Sequence, residues 1–247
     1  MEELIQRDLT RAMHNHKQAG FSFIEILLGL ILVSLIFVSF RYFTVSPKDH
    51  LRFTVEKLEK IVQFANQEAI MRGSIVRLRF SFDKLPQEWN LEYGPDGDFI
   101  LPSLEKYANN EDKLSLMDQE RRDKIIQETD NKFQPIPDFP QGHEQIPAEV
   151  IVLGLATSTR KDLINFGNSA LYFYPTGEKD AALILLAVTV KSQLQIAQIQ
   201  IQAYLPTVNI QYFPIELSPD MVETNSQEVE QILLQKSKEL HQQWLKG

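Results

Sequence analysis

The 247-residue sequence contains no cysteine, which excludes a disulfide framework and any cysteine-based metal or nucleophile chemistry. It also lacks a basic surplus. Lysine and arginine total 25 against 33 acids, a formal charge of −8, which argues against a nucleic-acid partner. Beyond Pro206 only Lys236, Lys238 and Lys246 stand against Glu216, Asp220, Glu223, Glu228, Glu230 and Glu239. A convergent catalytic constellation is missing as well. His50, His143 and His241 are scattered and lie near no nucleophile motif. His14 and His16 read as solvated tail residues rather than a metal pair. Asp96 and Asp98 flank Gly97, yet no glutamate follows at the offset that a calcium loop requires. The chain therefore reads as a non-enzyme with no catalytic residue, no metal ligands and no cofactor.

One long apolar run is present. Residues 21–43, at about 1.5 Å per helical residue, are long enough to cross a hydrocarbon core of roughly 30 Å. A single carboxylate, Glu25, lies inside the run. An acid at mid-helix costs about 2.5–3.5 kcal/mol on insertion scales, whereas each leucine, isoleucine or phenylalanine returns about 0.3–0.6. The run tolerates Glu25 near its cytoplasmic end, but so costly a group is a functional hypothesis by default. A cut after Gly20 frees an α-amine on Phe21, one helical turn before Glu25. In a bundle of such helices, the carboxylate of one subunit meets the amine of its neighbour. Arg7, Arg11 and Lys17 precede the helix and Arg41 and Lys48 follow it, so the basic count favours a cytoplasmic N-terminus by a small margin.

Lys17-Gln18-Ala19-Gly20-Phe21-Ser22-Phe23-Ile24-Glu25 resembles the class III signal of type IV pilins and type II secretion pseudopilins. The resemblance implies that a prepilin peptidase cuts after Gly20 and methylates Phe21, giving N-methylphenylalanine. It also implies that Glu25, the fifth mature residue, guides subunits into a helical filament. The bland alternative is an ordinary signal anchor with a stray acid. In the implied leader, residues 1–20, Arg7, Arg11 and Lys17 balance Glu2, Glu3 and Asp8, so the charge of −8 belongs to the remainder.

After the apolar run, Ser46-Pro47 is expected to break or kink the helix. Leu51, Val55, Leu58, Val62, Ala65 and Ala69 then recur at alternating steps of four and three. That is the inner stripe of an amphipathic helix ending near Gly73, with Glu56 and Lys60 paired on its wet side. Val76, Leu78, Phe80 and Phe82 alternate with Arg77, Arg79 and Ser81, and Trp89, Leu91 and Tyr93 alternate with Asn90 and Glu92. Both patterns predict strands with one buried and one wet face. Residues 94–98 read as a turn.

Residues 103–147 change character. Eight acids and six basic residues crowd residues 103–134, Leu114, Met117, Ile125 and Ile126 permit a marginal helix, and four prolines then hold an extended link. The segment reads as a solvated insertion between strands, with a partner-binding arm as the alternative. Strand patterns return at residues 150–155, 170–174 and 181–190, the last apolar but for Thr189 as in a central strand. Leu194 and Ile196 are out of phase with Ile199, Ile201, Ala203 and Leu205, which predicts a β-bulge near Ala197-Gln198. Val208, Ile210 and Tyr212 form a last strand. Val229, Leu233, Leu240 and Trp244 mark the apolar side of a C-terminal helix, facing either the domain or a neighbouring subunit.

Two further stretches resemble the minor pseudopilins of the H type. They are residues 58–80, a helix-to-strand passage, and Leu171-Tyr172-Phe173-Tyr174-Pro175-Thr176-Gly177, a strand and turn. The charged insertion and the C-terminal helix lie outside that pattern. The expected fold is α+β: a long N-terminal helix, transmembrane and then amphipathic, packed on antiparallel β-sheets, with a C-terminal helix. The expected segments are a leader (1–20), a transmembrane assembly helix (21–43) and its amphipathic continuation (44–73). A β-rich domain (74–215) carrying the insertion 103–147 follows, and then a helical extension (216–247).

The resemblance implies a minor structural subunit of a type II secretion pseudopilus, single-pass in the bacterial inner membrane with its domain in the periplasm. The implied partners are other pilin-like subunits, prepilin peptidase, the inner-membrane assembly platform and the membrane itself. A minor pilin of a type IV pilus (adhesion, motility or DNA uptake) and a signal-anchored periplasmic enzyme are the alternatives.

Overall fold

The structure, a computed structural model, describes residues 23–42, 46–96, 99–102, 115–137, 143–190, 193–217 and 226–246. The chain divides into two units, Met1–Val45 and Ser46–Gly247.

The first unit contains helix α1, Phe23–Tyr42. Its described apolar side chains, from Phe23 to Val33, are exposed on every side of the helix. Ser34 returns its hydroxyl to the Ile31 carbonyl at 2.8 Å, the usual way a serine is accommodated inside an apolar helix.

The second unit opens with helix α2, Pro47–Arg72. Ser46 is extended and caps it, accepting from the Lys48 amide, while its own amide donates to Asp49. Pro47 therefore sits at the first helical position, where a missing N–H costs nothing. Within the segment 44–73 expected to be helical, the helix begins at Pro47, behind its Ser46 cap. Gly73 ends it in the left-handed conformation at φ 64°, as expected of a glycine after the last helical turn. The predicted stripe from Leu51 to Ala69 is buried. Glu56 pairs with Arg52 at 3.3 Å, one turn back, and not with the expected Lys60.

Two antiparallel sheets follow. The first has β2 (Glu88–Asp96) and β6 (Asn168–Phe173) on either side of β1 (Ser74–Ser81). The short strands β3 (Gln134–Pro135) and β4 (His143–Gln145) pair with the far edge of β2. The second has order β5-β7-β8-β9, with β5 Val150–Thr157, β7 Ala182–Val190, β8 Gln193–Ile201 and β9 Val208–Glu216. Helix α2 packs its stripe against both sheets, giving one core that includes Leu58, Leu78, Trp89, Leu171, Ile184 and Ile199. Helix α4, Ser226–Lys246, covers the opposite face of the second sheet. There Leu233 and Leu240 meet Leu183, Leu185, Leu194 and Ile196. The fold is thus α+β, a long helix packed on antiparallel sheets with a C-terminal helix.

Four expectations are corrected. The bulge expected near Ala197-Gln198 is absent, because β8 keeps an unbroken register from Gln193 to Ile201 with both neighbours. The slip in phase arises because β8 has a core on each face: Leu194 and Ile196 point to α4, whereas Ala197, Ile199 and Ile201 point to α2. Register shifts fall instead at Ser74/Val76 and Val152/Gly154. The outer face of β1 is not wet, since Arg77 and Ser81 are both buried. The proline-held link supplies β3 and β4 to the sheet edge. The insertion is more than solvated chain, because helix α3, Leu116–Asp130, leads through Asp130 to buried Phe133, and both contact Arg77.

Candidate functional site

The sequence-predicted site residues are Gly20, Phe21 and Glu25. Gly20 and Phe21 lie outside the described residues. Glu25 falls within the backbone of α1, but its side chain, like those of residues 35–42, lies outside the described set. Counting described residues only, no helix is long and apolar enough to cross a membrane. The backbone of α1 nevertheless spans 20 helical residues whose only ionisable members are Glu25, Arg41 and Tyr42. The whole helix is thus about 30 Å long.

The second unit holds a site that alternation alone did not reveal. Arg77 and Glu92 are directly opposite in the β1–β2 register, and Arg77 Nε donates to Glu92 Oε2 at 2.6 Å. Arg77 also pairs with Asp130, at the end of α3, and its guanidinium lies 4.0 Å from the centre of the Phe133 ring. Burial opposes the Arg77 charge, but Glu92 and then Asp130 overcome it and hold its pKa above the ordinary arginine value. The other Glu92 oxygen forms an ion pair with Arg79 Nη2 at 2.8 Å. One carboxylate thereby holds two arginines of the same strand. Phe133 meets Tyr172 edge-on at 6.1 Å, and burial raises the Tyr172 phenol, which stays neutral.

Arg77, Arg79 and Tyr172 form one wall of a cleft of about 360 Å³ between α3 and the outer faces of β1 and β6. Arg122, Ile125 and Ile126 of α3 form the opposite wall, and Thr157, Thr159 and Arg160 close one end. Thr157 Oγ1 accepts from the Arg160 amide at 3.0 Å, which fixes the turn that carries Arg160. Behind Tyr174, Asp180 is buried and accepts from the Tyr172 amide and the Tyr174 hydroxyl, each at 3.2 Å. Burial pushes its carboxyl up to about 6.

His50, His143 and His241 do not converge. The His50 carbonyl accepts from Thr54, His143 contacts Asn90, and His241 Nε2 lies 2.6 Å from the Lys161 carbonyl. Among the described residues, no group of three or more histidine, aspartate or glutamate side chains is placed to hold a metal. Residues 58–80 run from α2 into β1, and residues 171–177 lie on β6 and the turn after it.

No protein-family model, curated protein or solved structure matches the chain.

Proposed function

We propose that the chain is a minor pilin-like structural subunit, processed by prepilin peptidase and assembled into the pseudopilus of a type II secretion system. The observation that carries this reading is the order Gly20, Phe21, Glu25 at the start of the apolar run over residues 21–43. Helix α1, apolar on all its described sides, supports it, because such a surface is stable in lipid or among like helices. In this reading α1 anchors the subunit in the bacterial inner membrane, and the unit from Ser46 onward stands in the periplasm.

The mechanism is one of charge pairing. The leader retains the subunit in the bilayer, and cleavage frees the Phe21 amine. Glu25 of an incoming subunit then meets an amine of the growing filament, so that two charges costly in lipid neutralise one another. No chemical step falls to the domain itself. Copurification with partner subunits tests the pairing. Glu25→Ala leaves cleavage intact and reduces recovery of partners; full recovery contradicts the charge-pairing role.

A further inference from the structure

We propose that the cleft between α3 and the outer faces of β1 and β6 binds an organic oxyanion, a carboxylate or phosphate ester, that carries an apolar body. This goes beyond the assembly reading and rests on different residues. Among the described residues, the lining holds four arginines, Arg77, Arg79, Arg122 and Arg160, and one carboxylate, Asp130. Asp130 is already engaged by Arg77, and Glu92 takes both Arg77 and Arg79 from behind.

Arg79 identifies where the acid group goes. Its Nη2 is committed to Glu92, while its Nε is buried with no hydrogen-bond partner among the described residues. A buried guanidinium donor without an acceptor is costly, and an oxyanion entering the cleft that Arg79 lines satisfies it with a charge-assisted hydrogen bond once the side chain turns its Nε outward. Arginine's planar fork suits the two oxygens of a carboxylate or phosphate, where a lysine supplies only a point charge. Ile125 and Ile126 offer the apolar wall for the rest of the ligand, and Thr157 and Thr159 offer hydroxyls at the end of the cleft. The volume, about 360 Å³, lies in the range of small-ligand sites, roughly 300–1,000 Å³.

The test is calorimetric titration of the full-length chain in detergent micelles with three probes: N-acetyl-leucine, hexyl phosphate and the neutral N-acetyl-leucinamide. Saturable binding of at least one anion is expected, with the amide at least about tenfold weaker. Whichever anion binds tighter identifies the source. Arg79→Gln should weaken that anion about tenfold, the loss of one hydrogen bond to a charged group. Arg160→Gln, in a surface turn, should weaken it as well and decides the matter if Arg79→Gln does not fold. The proposal is overturned if neither anion saturates, if the amide binds equally, or if folded variants bind like the wild type.

Discussion

Arg77 and Glu92 face one another across β1 and β2, with Nε 2.6 Å from Oε2, on a sheet face that alternation assigns to water. Two charges are held there out of solvent, covered by Phe133 and by the end of the charged insertion. Removing one partner of a buried pair strands the other, at about 3–5 kcal/mol. Glu92→Leu should accordingly lower the urea midpoint by an amount corresponding to that loss, and Arg77→Met with Glu92→Leu should recover part of it. A single variant as stable as the wild type would show that the pair is dispensable.

Helix α4 is fixed to the second sheet by Leu240, which is fully buried, whereas Leu234 is 48% exposed on the same helix. Leu240→Ala is expected to cost about 2–5 kcal/mol, and Leu234→Ala no more than about 0.5 kcal/mol. Thermal unfolding of the two variants checks the contrast. Equal effects would mean that α4 does not dock through this face.

Gly154 stands at the register shift between β5 and β7. A Cβ there would lie 2.7 Å from Leu163 Cγ and 3.1 Å from the Ile164 carbonyl oxygen. Leu163 is held through the bridge between Leu155 and Ile164, so it cannot simply turn away. Gly154→Ala should destabilise by about 1–3 kcal/mol, as overpacking does, read from the denaturant midpoint.

Asp180 gives a pH signature. Its carboxyl is raised by burial from 3.8 to about 6. Between those values the folded state keeps a proton that the unfolded state has released. Stability from this group is therefore full below about pH 4 and lost as pH rises through about 6, by on the order of 3 kcal/mol. Asp180→Asn should remove that slope. Parallel stability curves for the two proteins between pH 4 and 6 would contradict the assignment.

Much of the second unit was legible because its elements obey a single period. The stripe from Leu51 to Ala69 and the left-handed Gly73 follow directly from spacing. Elements covered on both faces were harder to read. In β8 the residues facing α4 and those facing α2 have opposite phase, which imitates a bulge in sequence. In β1 the second cover is made by charged residues far along the chain, so Arg77 looks like a surface residue until Glu92 and Asp130 arrive beside it. The arginine cleft was missed for the same reason: its members come from β1, α3 and the chain after β5. The N-terminal residues carry the opposite balance, a strong local signal in sequence at Gly20 and Phe21, which lie outside the described residues.

The most direct measurement of the central claim is intact-mass and N-terminal analysis of the protein recovered from native membranes with the processing peptidase active. The account predicts a chain that begins at N-methylated Phe21. A chain that still begins at Met1 would contradict it, leaving a signal-anchored protein in which Glu25 has no assembly role.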